Sequence, residues 1–401
     1  MINKYKLNVF LSTLNFILCF IGFQLVTSIF LPHYSNFDGI VTVQSVTIPY
    51  RAFSLGLSLL VIIINITKIP RFWPLSLKLF LFFWVILIIR FLYDDVIRTD
   101  ISLGDTSQIW LYMLGICVPA FLSIIVSYKY IDINKSFLFI LISIGISLTI
   151  FLASGLDGQG GRQGGNIAVS TITFGHFGVT AVILGIYSFL FKKINFIFKI
   201  FLIYLIFIGV FVMLIAGSRG PILALIVVLM FWIFSYIKRP SYAVVSIILA
   251  SILSLIFMDY ILELMGEVSP IIESRLRSSI YDGDTSNRTV IYKLALDMFF
   301  DSPILGKQLF IIYTDDKIEY AHNLILDALM GLGIVGGISI SYFLIQAFKK
   351  SYRLIHIRDP NFWIVLLLIQ QIVMNMLSGA FYYNQLLSVL LAFIFLKYRR
   401  I

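Results

Sequence analysis

Charge is scarce in this chain. Asp, Glu, Lys and Arg make up 12% of its 401 residues, against about 25% in a soluble domain. Hydrophobic residues reach 60%, and mean hydropathy is +0.99. Folded in water, such a composition would leave too little polar surface, so an ordinary soluble enzyme is excluded. Cysteine is nearly absent. The two present, Cys19 and Cys117, each lie inside an apolar run without CxxC spacing, which excludes a disulfide framework and a cysteine metal site. There are four histidines and no HExxH, so no metal cage is written here and neither metal nor cofactor is expected. A P-loop is missing too. The glycine-rich stretch Asp157–Asn166 lacks the GK[ST] ending and reads as a flexible loop.

What is present is long apolar sequence. About twelve runs reach or approach the ~20 residues needed to cross hydrocarbon. They are 8–31, 49–66, 73–92, 109–127, 135–153, 167–190, 197–216, 221–237, 241–258, 323–347, 362–379 and a short one at 384–397. Gly217-Ser218-Arg219-Gly220-Pro221 breaks the stretch 197–237, so two helices joined by a tight turn at Arg219 are expected. Lys4 and Lys6 precede the first run, whose length marks it as a helix rather than a cleaved leader. Orientation follows the basic residues. With the N-terminus inside, Lys68, Arg71, Lys129, Lys192, Lys238, Arg239, Lys349 and Arg353 are cytoplasmic, while Asp132 and Asp359 are the acidic residues there. Both termini are then cytoplasmic. The net charge of +10 reads as loop charge near anionic lipid, not as a nucleic-acid surface. The expected fold is an all-α polytopic membrane protein. Transmembrane helices one to nine occupy 1–258, an extracytoplasmic helical loop 259–321, and helices ten to twelve 322–401.

A loop of that length is rarely structureless. Val290, Ile291, Leu294, Met298 and Phe299 recur at helical spacing after a cap at Thr285 or Ser286, and Asp301-Ser302-Pro303 ends that helix. Ile271, Ile272, Leu276 and Ile280 suggest another, and both read as amphipathic helices on the outer membrane surface. Arg219 stands between two apolar helices. An arginine at membrane depth costs ~2.5–3.5 kcal/mol and is a functional candidate for that reason. Its flanking glycines leave room for a ligand, and a planar guanidinium suits phosphate oxygens. Arg288 opens the loop helix, with Arg275 and Arg277 as weaker candidates. His322, where the loop meets the tenth span, suits proton transfer near neutral pH. His33, His176 and His356 read as structural. Gly333 and Gly337 make a GxxxG step for helix packing. Asp282-Gly283-Asp284 reads as a turn, and Asp94-Asp95 as a solvated pair.

Three blocks together resemble the O-antigen ligase and polymerase family of bacterial membrane glycosyltransferases. The first is Ala216-Gly217-Ser218-Arg219-Gly220. The second is Asn287-Arg288, an apolar helix, then Ser302-Pro303-Ile304-Leu305-Gly306-Lys307. The third is His322-Asn323, Leu326, Gly333 and Gly336. They cover about 215–340. One departure is Asp327, where the family commonly carries Glu. The resemblance implies a GT-C-like helical fold and sugar transfer from a polyprenyl-pyrophosphate-linked oligosaccharide, with inversion and without a metal. Arg219 and Arg288 would hold the pyrophosphate, Arg277 and Asn323 would join in substrate binding, and His322 would orient or deprotonate the attacking sugar hydroxyl. The expected activity is polymerisation of O-antigen or capsule repeat units in the bacterial cytoplasmic (inner) membrane. Expected partners are membrane lipid and a chain-length regulator and flippase of the same pathway. A ligase that moves finished polymer to a lipid A core or protein shares this chemistry. A flippase for the same lipid-linked sugar would not need the long loop or its histidine.

Overall fold

The computed structural model describes residues 4–31, 39–68, 73–98, 106–154, 157–159, 162–166, 168–284, 288–312 and 318–397. Helix dominates it, because backbone that crosses hydrocarbon must satisfy its own hydrogen bonds. The helices are α1 (Lys4–Phe30), α2 (Gly39–Asn65), α3 (Leu75–Ile97), α4 (Ser107–Tyr130), α5 (Ile133–Ala153), α6 (Thr171–Phe191), α7 (Phe196–Ile215) and α8 (Arg219–Tyr236). They continue as α9 (Pro240–Ile256), α10 (Met258–Val268), α11 (Pro270–Tyr281), α12 (Arg288–Asp301), α13 (Leu324–His356), α14 (Trp363–Ser378) and α15 (Gln385–Lys397). Among the described residues nine helices, α1 to α8 and α13, are long and apolar enough to cross a membrane. α9 and α10, bent by 70° at their junction, count as a tenth if taken together. α14 and α15 are apolar but shorter. Every expected apolar run is thus a helix, but the last two fall short of a full span, and the ninth reaches one only with α10, which was expected in the loop. The chain is an all-α polytopic membrane protein.

Polar side chains set several helix starts. Asp132 accepts from the Lys135 amide at α5, Ser170 from Thr173 at α6 and Asn195 from Phe198 at α7. Each satisfies an amide that has no partner inside its helix.

The chain divides into two compact units. The first comprises residues 1–54, 131–284 and 351–370. Its centre is α6, which packs closely on α7. A Cβ on Gly178 would lie 2.5 Å from the Gly209 carbonyl oxygen, and one on Gly209 would lie 2.7 Å from that of Gly178. The two backbones therefore touch. Tyr187, Phe191, Trp232 and Phe362 pack edge to face around one end of α6. The glycine-rich stretch is not a loose loop. β1 (Asp157–Gln159) and β2 (Arg162–Gly164) pair antiparallel, and Asn166 Nδ2 donates to the carbonyls of Thr27 and Leu31 at 3.0 and 3.1 Å.

The second unit comprises residues 55–130, 285–350 and 371–401. Its core is aromatic. Phe80 meets Phe121, Phe343, Phe381 and Phe395 with ring centroids 5.2, 5.9, 6.2 and 6.4 Å away, all edge-on, the geometry that ring quadrupoles favour. The expected loop helix is α12. It buries Ile291, Ala295 and Met298 against Ile311, Ala321 and Met330. The expected cap at Thr285 or Ser286 lies outside the described residues. β3 (Ile311–Ile312) pairs with β4 (Ile318–Glu319) just before α13.

The GxxxG reading needs correction. Gly333 has φ 63° and ψ −155°, which breaks α13 in two. A Cβ there would sit 2.3 Å from the Ile304 carbonyl oxygen. Ile334 N donates to Pro303 O, and Lys307 N to Met330 O, both at 2.8 Å. The glycine admits the 303–307 turn of its own chain rather than a partner helix.

Gly178→Val places carbon against a carbonyl that cannot move alone. It is expected to destabilise the protein by ~1–3 kcal/mol, read as a lower thermal unfolding midpoint in detergent. Gly56→Ala, with nothing within 4 Å of the new carbon, should leave the midpoint unchanged or slightly higher. Equal midpoints for the two variants would show that these glycines do not set the α6–α7 spacing.

Candidate active site

In the first unit the candidate residues gather at the turn between α7 and α8. Gly217 takes φ 59°, Ser218 is extended, and α8 starts at Arg219. The space that Gly217 leaves is already filled. A Cβ there would meet Ile271 Cγ2 at 2.7 Å and Arg162 Cγ at 3.0 Å. Gly220 faces Nε2 of the buried His176, 3.8 Å from where its Cβ would be. Arg219 clasps α11 and the turn after it. Its Nη1 donates to Arg275 O (3.2 Å), Asp284 O (3.1 Å), Asp284 Oδ2 (3.2 Å) and the Ser279 hydroxyl. Arg275 Nη1 returns a bond to Gly217 O at 3.0 Å. Arg162, from β2, donates to Thr171 Oγ1 at 2.7 Å. Burial, and then the positive charge of Arg219, push the Arg162 guanidinium below its ordinary range. Arg162, Arg219 and Arg275 therefore share one turn. Arg277 is engaged elsewhere on α11, with Glu273 at 2.9 Å and Asp259 at 3.0 Å. The bond from Glu273, followed by that from Asp259, holds its guanidinium above the ordinary range.

The second unit holds His322. Its φ is 54°, a left-handed conformation that costs a residue other than glycine ~1–3 kcal/mol. The bonds on either side fix it. Ala321 N donates to Asp327 Oδ1 at 2.6 Å. Asn323 Oδ1 accepts from Ile325 N (3.0 Å) and Leu326 N (3.2 Å), so Asn323 caps α13. The imidazole Nε2 lies 2.8 Å from Glu319 Oε1. Nδ1 is buried with no hydrogen-bond partner among the described residues. The Tyr320 ring lies 4.4 Å from the imidazole, and Tyr383 meets Tyr320 at 6.3 Å, Tyr382 at 4.7 Å and Tyr112 at 5.5 Å. Burial pushes the Tyr383 phenol up to about 12. Tyr320 is raised by burial and then by the Asp327 and Glu319 carboxylates, with the charge of Arg288 opposing them. Arg288 thus acts on the tyrosine that flanks His322.

The turn before this histidine hangs on α3. Asp94, expected as half of a solvated pair, is fully buried. It accepts from Arg90 Nε (3.0 Å) and Leu309 N (2.9 Å), and Arg98 Nη1 lies 3.7 Å away. Arg90 also donates to the carbonyls of Leu305 (3.2 Å), Gly306 (3.1 Å) and Lys307. Arg98 reaches Lys307 O at 2.9 Å. Asp95 accepts from Trp110 Nε1 at 2.6 Å. These carboxylates serve structure rather than face water.

Of the residues singled out in the sequence, Arg219 and Arg277 belong to the first unit, and Arg288, His322 and Asn323 to the second. Arg162 and Glu319 were not anticipated, and Asp284 was expected only as part of a turn. Glu319 carried a signal, a carboxylate three residues before a candidate histidine. Arg162 was hidden by the glycines around it. Residues 203–341 match the profile of a protein family described as O-antigen ligase. The matched segment runs from α7 into α13 and contains Arg219, Arg288 and His322. No curated protein sequence matches the chain.

Asp94→Ala strands two largely buried guanidinium groups and an amide. It is expected to cost ~3–5 kcal/mol, whereas Asp95→Ala loses one neutral-donor bond and should cost about 1–2 kcal/mol. Thermal unfolding of the two variants in detergent measures the difference. Similar losses from both would mean that Asp94 does not anchor the turn.

Proposed function

We propose that this multi-pass membrane protein, which carries an O-antigen ligase-family domain at residues 203–341, polymerises polyprenyl-pyrophosphate-linked oligosaccharide repeat units into O-antigen or capsular polysaccharide. The observation that carries this reading is the gathering of three arginines at the α7–α8 turn: Arg219 opens α8, Arg275 Nη1 donates to Gly217 O at 3.0 Å, and the Arg162 stem lies against Gly217. Asp284 is the carboxylate bound to Arg219 there, so positive charge is in excess, and a bound diphosphate would balance it. Arginine forks match phosphate oxygens in pairs.

The chemistry follows from the roles. A sugar hydroxyl of one lipid-linked chain attacks the anomeric carbon of another from the face opposite its diphosphate. The new oxygen–carbon bond forms as the carbon–oxygen bond to phosphate breaks, so the configuration inverts. The electron pair leaves with the diphosphate, and its growing charge is what Arg219, with Arg162 beside it, and Arg288 stabilise. This assigns to guanidinium groups the work that a metal does elsewhere. The proton of the attacking hydroxyl is the business of the His322 neighbourhood, worth ~10²–10⁴-fold in rate. The donor arrives already activated, which suits the outer face of a bacterial inner membrane, where nucleotide sugars are absent. Both termini then lie in the cytoplasm, and a flippase and a chain-length regulator complete the pathway. The description of the matched family favours a second reading, in which the same residues move finished polymer to a lipid A core or protein acceptor.

The test is reconstitution in liposomes with lipid-pyrophosphate repeat units, EDTA and no nucleotide. A ladder of lengthening chains is expected, lost in His322→Ala and Arg219→Ala and strongly reduced in Arg288→Ala. Arg288→Lys should not restore it fully, since a point charge lacks the bidentate fork. Melting midpoints check that each variant folds. Product that appears only on adding a lipid A core acceptor would make the protein a ligase. Movement of lipid-linked sugar across the bilayer without any ladder would make it a flippase.

A further inference from the structure

We infer that Glu319 takes the proton from the attacking hydroxyl and that His322 is the residue that positions it. This rests on the glycosyl-transfer reading above and divides its proton chemistry between two side chains. A carboxylate only accepts hydrogen bonds, so the 2.8 Å contact between Glu319 Oε1 and His322 Nε2 puts the imidazole proton on Nε2. In the neutral ring the base is then Nδ1. That atom is sealed from solvent and has no hydrogen-bond partner among the described residues, so no incoming hydroxyl reaches it. For His322 to act as the base it would have to leave Glu319 and turn. The left-handed backbone at His322, the Asn323 cap on one side and the Asp327 bond to Ala321 on the other resist that, and the Tyr320 ring lies against the imidazole.

Glu319 is the open member of the pair. Its side chain is 35% exposed against 20% for His322. With Oε1 held by the imidazole, Oε2 is the atom presented to a second donor. β4 fixes its place, because Glu319 stands opposite Ile311 in the hairpin. Among the described residues, Tyr320, Tyr382, Tyr383, Asp327 and Arg288 are ionisable groups around the pair. Burial and neighbouring carboxylates raise the Tyr320 phenol, so it stays neutral. In the reaction the acceptor O–H bond breaks, its proton goes to Glu319 Oε2, the new oxygen–carbon bond forms, and the bond pair to phosphate leaves with the diphosphate. The imidazole keeps its Nε2 proton throughout.

The experiment crosses conservative variants in the same liposome assay. Glu319→Gln keeps shape and loses the base, and its rate should fall ~10²–10⁴-fold. Glu319→Asp should recover part of that. His322→Gln retains an N–H donor and should stay within about tenfold of the native rate, far above His322→Ala. An inactive His322→Gln beside an active Glu319→Gln would overturn the assignment and make His322 the base. If Glu319→Gln does not fold, judged by its melting midpoint, the comparison of His322→Gln with His322→Ala decides alone, and equal loss in both overturns the assignment. Absence of any product from the native protein, with or without a lipid A core acceptor, would overturn the glycosyl-transfer reading itself, and this inference with it.

Discussion

A backbone amide that leaves a helix within an apolar protein must find its acceptor inside the protein. Two buried carboxylates answer that constraint around the candidate active site. Asp94 on α3 takes the Leu309 amide and Asp327 on α13 takes the Ala321 amide. Between these two points lies the β3–β4 hairpin that carries Glu319, and immediately after it comes His322. Leaving either amide unpaired in the interior would cost about 1–3 kcal/mol. The two bonds give a short irregular segment a fixed course without a large core of its own. The left-handed turn at His322 is held on one side by the Asp327 bond to Ala321 and on the other by the Asn323 cap.

Much of the fold was legible because hydrocarbon thickness imposes a simple rule on sequence. Apolar runs became helices, the Gly217–Pro221 break became a turn, and the apolar spacing after residue 288 became α12. The rest failed for physical reasons that differ from place to place. Asp94 looked solvated because it follows an apolar run, yet its amide partner is 215 positions away. Gly333 and Gly337 spelled a packing motif, but spelling does not report φ, and Gly333 proved to be a break. Arg162 was invisible because glycine-rich sequence promises flexibility. Its stem fills the space left by Gly217, a contact no local pattern encodes.

Scarcity of charge in the apolar helices does not by itself mark function. Arg90 lies in α3 and would attract the same suspicion as Arg219. Its donors are consumed by Asp94 and by three successive carbonyls, which makes it a clamp. Arg98 stands beside it on the same carboxylate and the same Lys307 carbonyl. Arg219 also has a carboxylate partner in Asp284, but its bonds join α8 to α11 and the turn after it. The candidate histidine obeys a similar logic. Its reach is limited less by its own chemistry than by the glutamate already bound to it.

The break at Gly333 changes where one protein of this kind can be cut and joined to another. Helix α13 reads in sequence as a single span that begins after the loop. In three dimensions its opening segment belongs with the loop, since Met330 and Ile334 bond to Lys307 and Pro303. A chimaera that exchanges the loop at residue 323 would split a hydrogen-bonded block and leave half of it with a foreign partner. Moving the seam past Ile334 would transfer the hairpin, its histidine and the turns that hold them as one inherited part.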